Sequence, residues 1–202
     1  MTEYTGEELS SVDLIVDAVY TGFRTPKGGV ADPLVKLVGV SRQGGFRYRG
    51  NRDRPTLLVL TSNLSEPDWP DELDEVTGRF VYFGDNRQPG QQLHDTPRFG
   101  NLLLKSIFDS THRGLRESVP PVLVFTKEEP GRSFRFRGLA VPGHPALPAT
   151  EDLVAIWKSS RGQRFQNYKA AFTILDEPVI SRAWIHSVGS GPTSEDAPQS
   201  WR

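Results

Sequence analysis

The apolar residues of this chain fall into short runs separated by glycine, proline and small polar residues, and this spacing constrains the fold most. Residues 56–61 (TLLVLT) form a continuous apolar run that predicts a buried central strand. Further segments of similar length and composition predict the other strands: residues 34–40, 79–83, 122–126, 133–141 and 164–175. The segments at 122–126 and 133–141 are expected to pair across the turn between them. The chain should therefore build a sheet.

Helical patterns are fewer. Residues 11–19 and 101–109 carry apolar residues at helical spacing and predict helices, whereas residues 183–188 fit either a short helix or a strand. Residues 84–100 are polar with little signal for either, and loops of this length in compact domains are usually functional. Residues 189–202 are small, polar and contain proline, so we expect a flexible tail or a linker there.

These patterns predict one domain at residues 1–188 of the α+β class, mostly β, built on a twisted, partly closed β-barrel with a few flanking helices. A chain of 202 residues is long enough to bury a sizeable core. A barrel hides the edges of its sheet, and long loops can project from one end of it to hold a ligand.

Several classes of protein are excluded or disfavoured by what the sequence lacks. Cysteine is absent, which excludes a disulfide scaffold and a cysteine-ligated zinc site. There is no signal-peptide pattern and no run near the ~18 apolar residues of a membrane span, so we expect a cytoplasmic protein without a membrane partner. The histidines form no metal pair, and no phosphate-binding loop or serine elbow occurs. We therefore expect no metal, no cofactor and no catalytic centre.

Arginine is concentrated in one segment, although the net formal charge is only −1. Residues 42–54 contain five arginines against a single acid, whereas residues 66–75 contain six acids and no base. Guanidinium groups suit phosphates and guanine edges, so this clustering favours nucleic-acid binding. The alternative source of the arginine bias is a GC-rich coding sequence, which leaves the clustering itself unexplained.

The strongest local motif lies at residues 80–86 (FVYFGDN). A strand delivers Tyr82, a turn glycine follows, and Asp85 and Asn86 come next. This order can place a ring face and a hydrogen-bond acceptor around one planar ligand. Cytosine offers a π face and an exocyclic amine from which a carboxylate can accept, and stacking supplies about 1–3 kcal/mol per base. The alternative is an ordinary strand end with an Asp–Asn turn.

Residues 80–104 resemble the SRA (SET- and RING-associated) domain, whose fold is PUA-like. In that family a strand ends in Tyr-x-Gly near an acid, and a long loop leads to an Asn-containing helix start. The matching positions are Tyr82, Gly84, Asp85 and Asn101. Over residues 40–185 the chain is more similar to the N-terminal recognition domains of AspBHI- and MspJI-type modification-dependent restriction endonucleases. The motifs that carry this similarity are GGFR at 44–47, WPD at 69–71, YFGDN at 82–86, DT at 95–96, GN at 100–101 and RFQNY at 164–168.

The resemblance implies a domain that binds duplex DNA and flips a modified cytosine, above all 5-methylcytosine, into a pocket. Two rings sandwich the base there, and an aspartate accepts from its amine. The expected pocket residues are Tyr82 as one ring, Asp85 as the acceptor, His94, Phe83 or Phe99 as the second ring, and Asn86. The residues expected to contact DNA are Arg42, Gln43, Phe46, Arg47, Arg49, Arg52, Arg54, Asn101, Arg164 and Asn167.

Alternatives stay open at this point. The arginine-rich loop can be read as a solvated hairpin, and Phe165 and Tyr168 as core residues. No nuclease signature is recognisable, so we expect a stand-alone reader or the targeting module of a fused or separate nuclease, as a monomer or a homodimer. Two rival functions remain. A non-flipping nucleic-acid module would bind unmodified duplexes equally well, and a small-molecule-binding β-barrel enzyme would show no salt-dependent DNA binding.

Overall fold

The computed structural model of the protein describes residues 2–42, 44–128, 131–188 and 195–202. Its strands are β1 (Glu3–Thr5), β2 (Leu14–Ile15), β3 (Val19–Thr21), β4 (Phe46–Asn51), β5 (Arg54–Ser62), β6 (Glu72–Asp74), β7 (Arg79–Phe83), β8 (Val122–Glu128), β9 (Ser133–Pro142), β10 (Leu153–Ser160), β11 (Gln163–Ile174) and β12 (Val179–Ile180). Its α-helices are α1 (Pro33–Val38), α2 (Gly100–His112) and α3 (Arg182–Ser187), and short 3-10 helices lie at Gly6–Ser10, Arg116–Ser118 and Gln199–Trp201. The α+β, mostly β composition is confirmed.

Ten strands form one mixed sheet whose main path runs β4-β5-β8-β9-β11-β7-β6. β3 pairs with β9 and carries β1, β10 pairs with β11, and β2 and β12 form a separate two-stranded sheet. Among the described residues the end strands β4 and β6 do not pair, so the sheet is open and the expected partly closed barrel is wrong. Bulges in the β4–β5 and β8–β9 ladders add local bend and twist instead of closure.

The central strands are buried on both faces because helices cover the sheet on each side. In β5, Leu57 and Val59 enter a core that includes residues of α1 and α3, while Leu58 and Leu60 enter a second core with residues of α2. Strand side chains alternate between faces, so a strand that is covered on both sides reads as a continuous apolar run. This is why residues 56–61 could be recognised as a central strand.

Most predicted elements occur where the sequence places them. The strands predicted at 56–61, 79–83, 122–126, 133–141 and 164–175 and the helix predicted at 101–109 are confirmed, and residues 183–188 are resolved as helix α3. β10 carried no prediction. No helix among the described segments has the length and apolar character needed to cross a membrane.

Two predictions in the first forty residues are wrong. The expected strand at 34–40 is helix α1, because Asp32 caps it by accepting a hydrogen bond from Leu34 N (3.0 Å) and Pro33 occupies its first turn. The expected helix at 11–19 is instead split into β2 and β3. Asp17 has a left-handed φ of 65° between them, which a helix does not accommodate.

The last described residues pack on the domain, which corrects the expected tail for this part of the chain. Trp201 is buried, its ring centroid lies 5.9 Å from that of Trp184 in α3, and the Arg116 guanidinium lies over its ring. The first part of the expected tail, residues 189–194, lies outside the described residues. Residues 195–202 therefore belong to the folded domain.

Arg47, expected to contact DNA, is an interior residue instead. It is only 3% exposed, and its Nη1 donates to Asp32 Oδ2 at 2.7 Å and to the Ser41 carbonyl at 3.0 Å. Its Nε donates to the Gly44 carbonyl at 2.9 Å. The same carboxylate that caps α1 thus anchors the loop before β4.

Replacing Arg47 by alanine should lower the free energy of unfolding by about 3–5 kcal/mol, because Asp32 is left as an unpaired buried charge. Urea unfolding followed by circular dichroism measures this change. Arg42→Ala, at an exposed position of the same loop, is the matched control and should stay within about 0.5 kcal/mol of the wild type. Equal stability of the two variants would contradict the interior role of Arg47.

Candidate functional site

The segment between β7 and α2, residues 84–99, contains no strand or helix and is here called the 84–99 loop. It begins at Gly84, whose N–H donates to the Tyr168 carbonyl (2.9 Å) and whose carbonyl accepts from Asn167 Nδ2 (3.0 Å). A Cβ on Gly84 would lie 1.7 Å from Asn101 Oδ1, a distance that no side chain permits. Only glycine therefore lets β7, β11 and α2 meet at this point.

Two fully buried asparagines hold the loop in place. Asn167 Oδ1 accepts from Asn101 Nδ2 at 2.9 Å and from Asn86 N at 3.3 Å. Asn101 Nδ2 also donates to the Leu93 carbonyl at 2.9 Å, and its Oδ1 accepts from Asp85 N at 3.2 Å. Both side chains are 0% exposed, and their hydrogen bonds hold the loop. The expectation that they contact DNA is therefore wrong.

Asp85 joins the loop to the start of α2. Its Oδ1 accepts from Asn101 N (2.9 Å), and its Oδ2 accepts from Gly100 N (2.9 Å) and from Thr96 Oγ1 (2.8 Å). The first N–H groups of a helix lack partners within the helix and carry partial positive charge, so a carboxylate is stabilised there. The expected amine acceptor is thus also a structural cap.

A cavity of about 350 Å³, here called the Asp85 cavity, opens where the loop before β4 meets the 84–99 loop. Its lining residues are Gly44, Gly45, Phe46, Tyr82, Asp85, Arg87, Gln88, Gln91, Pro97 and Arg98. Tyr82 and Asp85, the two central residues of the sequence hypothesis, do meet at one cavity. Phe46, expected to contact DNA, is also one of its walls.

The two loops approach each other closely at Gly44 and Gly45. A Cβ on Gly44, which has a φ of 97°, would lie 2.4 Å from Arg98 Nη1. A Cβ on Gly45 would lie 3.0 Å from the Tyr82 hydroxyl oxygen. The pair of glycines therefore sets the width of the Asp85 cavity.

Tyr82 and Phe83 face opposite sides of the sheet, as neighbours in a strand must. Tyr82 is 1% exposed and packs its ring in the core beside Phe80, and this burial raises the pKa of its hydroxyl. Phe83 lies in a separate cluster with Trp69 and Phe165. Of the three candidates for the second ring, Phe83 is therefore on the wrong face to share a base with Tyr82, and the ring of Tyr82 is covered by the core.

The remaining expected pocket residues lie outside the Asp85 cavity. His94 Nε2 lies 2.9 Å from the Tyr168 hydroxyl, with the two rings tilted against each other. Phe99 is covered by the Arg52 guanidinium at 4.6 Å from the ring centroid. Asn86 is fully buried and donates to the Gln166 carbonyl. These side chains shape the loop and do not line the cavity.

The expected DNA-contacting residues divide into two groups. Those that lie in the interior or are held by backbone carbonyls are Phe46, Arg47, Arg49, Asn101 and Asn167. Those that are exposed are Arg42, Arg52, Arg54 and Arg164. Gln43 lies outside the described residues. Strand β4 is covered on both faces, and this explains why its arginines are not on the surface.

Arg49 shows how such an arginine is used. Its Nη1 donates to the Ile185 carbonyl (2.9 Å) and its Nη2 to the Val188 carbonyl (2.8 Å), which satisfies carbonyl groups at the end of α3. Burial lowers the pKa of its guanidinium. A role in binding phosphate is therefore corrected to a role in holding α3.

The cavity also contains residues that carried no sequence prediction. Arg87, Gln88, Gln91 and Arg98 all come from the 84–99 loop. The length and polarity of this segment marked it as functional, but no periodicity indicates which side chains of an irregular loop face inwards.

Asp71 supports the end of β7 from behind. It is buried and accepts from Phe83 N and Ser62 Oγ, each at 2.7 Å, and burial raises the pKa of its carboxyl.

Across the described ranges no group of three or more histidine, aspartate or glutamate side chains is placed to hold a metal ion.

The chain belongs to the AspBHI N-terminal family of restriction endonucleases, since the model of that family matches residues 14–202. This confirms the resemblance inferred from the short motifs and extends it from residues 40–185 to residues 14–202. No protein among the curated sequences matches.

Solved structures agree with the family. The DNA modification-dependent restriction endonuclease AspBHI is 72% identical, with a TM-score of 0.96 over 99% of this chain and 93% of that one. The DNA recognition domain of the cytosine modification-dependent restriction endonuclease LpnPI is 44% identical, with a TM-score of 0.89 over 99% and 89% of the two chains. The MspJI restriction endonuclease in complex with a 27-mer oligonucleotide shares the fold, with a TM-score of 0.64 and 20% identity. The match covers 94% of this chain and 50% of the MspJI chain.

Asp85→Ala should lower the free energy of unfolding by about 0.5–2 kcal/mol, the usual cost of losing a helix cap. Thr96→Val removes only one of the three hydrogen bonds to the carboxylate and should cost less, about 0.5–1.5 kcal/mol. Thermal and urea unfolding of both variants measure the two losses. An Asp85→Ala protein as stable as the wild type would show that the carboxylate does not anchor α2.

Proposed function

We propose that this protein binds duplex DNA that contains a modified cytosine, 5-methylcytosine above all, and that it flips this base into the Asp85 cavity. The observation that carries the proposal is the convergence of a carboxylate, an aromatic hydroxyl and two arginines on one open cavity. The family supports it, because the structural relatives AspBHI and LpnPI are described as modification-dependent. Flipping a base costs a few kcal/mol, which contacts in the cavity must offset.

Asp85 keeps the capacity to accept the cytosine amine. Within the described part of the chain its Oδ1 accepts from Asn101 N, and a carboxylate oxygen can accept more than one hydrogen bond. Because the carboxylate is already held by three donors, it would meet the base in a fixed orientation. The amine of cytosine would then complete the coordination of Oδ1.

Stacking in this proposal differs from the aromatic sandwich that the sequence suggested. The ring of Tyr82 is covered, so the planar guanidinium group of Arg98 takes over part of this role. Flipped bases stack on arginine planes as well as on aromatic rings. The neutral hydroxyl of Tyr82 and the ring of Phe46 would form the floor.

The rim of the cavity suits a phosphate backbone. Arg87 and Arg98 line it, and Arg42 is exposed in the facing loop. Arg52 lies over the ring of Phe99, the residue that follows Arg98 in the chain. Arginine at such a rim binds phosphates through charge and paired N–H groups. We further propose that the domain serves as the targeting module of a bacterial restriction system in the cytoplasm, with cleavage supplied by a nuclease domain.

A methylated duplex should bind at least ~1 kcal/mol more tightly than the same duplex with unmodified cytosine, the scale of a single base discrimination. Fluorescence anisotropy with matched duplexes that carry cytosine, 5-methylcytosine or 5-hydroxymethylcytosine, at two salt concentrations, measures this difference. Gln88→Trp narrows the cavity from its exposed rim and should abolish the discrimination while binding to unmodified DNA survives. Val76→Trp adds the same ring at a 96% exposed position beyond the other end of β7 and is the control. Equal affinity of the wild type for all three duplexes would sink the proposal.

Arg87→Ala should weaken binding to every duplex about equally and reduce the slope of log affinity against log salt by roughly one phosphate contact. Arg113 follows the last residue of α2, about 20 Å along the helix axis from Gly100. Arg113→Ala should therefore leave both the affinity and the salt slope unchanged. Fluorescence anisotropy across a salt series measures the slopes. An unchanged slope for Arg87→Ala would place the backbone of the DNA away from this rim.

A further inference from the structure

An exposed tryptophan stands on the edge of the sheet, outside the Asp85 cavity. Trp157 lies in β10, which pairs only with β11 among the described strands, and its side chain is 57% exposed. The other tryptophans of the described chain are buried. An indole this exposed offers a large apolar face to a partner outside the chain.

Arg164 lies on this tryptophan. Its guanidinium carbon is 4.6 Å from the ring centroid of Trp157, and it makes no hydrogen bond or ion pair with any described residue. The ring therefore holds the guanidinium in one plane without using any of its N–H donors. Such a group is oriented in advance for a partner outside the chain.

The cavity around this pair, here called the Trp157 cavity, has a volume of about 540 Å³. Its polar lining consists of Arg164, three amides (Gln91, Gln92 and Gln166) and the carboxylate of Asp95. A phosphate only accepts hydrogen bonds and is repelled by a carboxylate. The edge of a base pair presents donors and acceptors together, so this mixture of donors and acceptors suits a base edge better than a phosphate.

The Trp157 cavity adjoins the proposed DNA site, because Gln91 lines both cavities. We propose that Arg164, oriented by Trp157, reads the edge of a guanine that flanks the modified cytosine, and so sets the sequence context of binding. Arginine and guanine O6/N7 form the commonest specific contact in protein–DNA interfaces. This inference rests on the proposed function, since it needs a duplex that places a modified base in the Asp85 cavity.

The test uses the full chain and a library of duplexes that carry one central 5-methylcytosine between randomised base pairs. The bound fraction is sequenced for the wild type, for Arg164→Ala and for the control Arg113→Ala. The wild type and the control should enrich guanine at one flanking position. Arg164→Ala should lose about tenfold in affinity for the guanine-containing duplex relative to the others, while its preference for methylated over unmodified cytosine persists.

Trp157 is tested as a positioning residue. Trp157→Ala should weaken the guanine preference at the same position, and Trp157→Phe should restore most of it because a ring again supports the guanidinium. Both side chains are exposed, so thermal unfolding should stay unchanged and serves as the folding check.

Three outcomes would overturn the inference: no base enriched by the wild type, a guanine preference that Arg164→Ala keeps, or a loss in Arg164→Ala that is uniform over all flanks with a lower salt slope, which marks a phosphate contact. Equal binding of methylated and unmodified duplexes by the wild type would instead refute the proposed function. Failure of the inference and failure of the proposed function are therefore distinguishable.

Discussion

The hydrogen bond between Asn101 and Asn167 organises the backbone around the Asp85 cavity. The 84–99 loop has no strand or helix of its own, and ordering each of its residues costs about 1–2 kcal/mol of backbone entropy. The asparagine pair ties the start of the loop, the start of α2 and the middle of β11 to one buried point. With that point held, the Asp85 carboxylate accepts from the first two N–H groups of α2, those of Gly100 and Asn101. The rest of the loop can then extend over the cavity mouth.

The asparagines at the base of the loop are buried polar residues whose hydrogen bonds are satisfied. Each amide oxygen and nitrogen of Asn101 and Asn167 has a partner at hydrogen-bonding distance, so little desolvation cost remains. A purely apolar contact would hold the loop less specifically, because apolar packing tolerates sliding whereas these hydrogen bonds do not. Rigidity at the base of the loop fixes the orientation in which the Asp85 carboxylate meets the cavity.

Much of the fold could be predicted from the sequence, and the exceptions have identifiable causes. Strands such as β5 are predictable from their apolar runs. The segment of α1 resembles a strand in sequence because its six residues are too few to show helical periodicity. Its cap at Asp32 and its first-turn proline were the better signals. The open path of the sheet was unpredictable for another reason. The pairing of β11 with β9, β7 and β10 joins segments that are far apart in the sequence.

The candidate site divides in the same way. Tyr82 and Asp85 could be found because one turn separates them. Phe83 is one of the candidates for the second ring, although the alternation of β7 places it on the opposite face from Tyr82. The role of Arg49 could not be found, since its acceptors at Ile185 and Val188 lie more than a hundred residues further along the chain. Charge clustering shows that arginines are concentrated, not which of them the surrounding elements will cover.

The crowding at Gly84 has a consequence for how recognition can diversify. Because any side chain there would collide with Asn101, the root of the 84–99 loop tolerates no substitution, while the stretch at residues 87–92 is mostly exposed. Insertions and exchanges can accumulate in that stretch without disturbing the sheet beneath. A protein engineer could therefore exchange this stretch between relatives, provided that Gly84, Asn101 and Asn167 are kept.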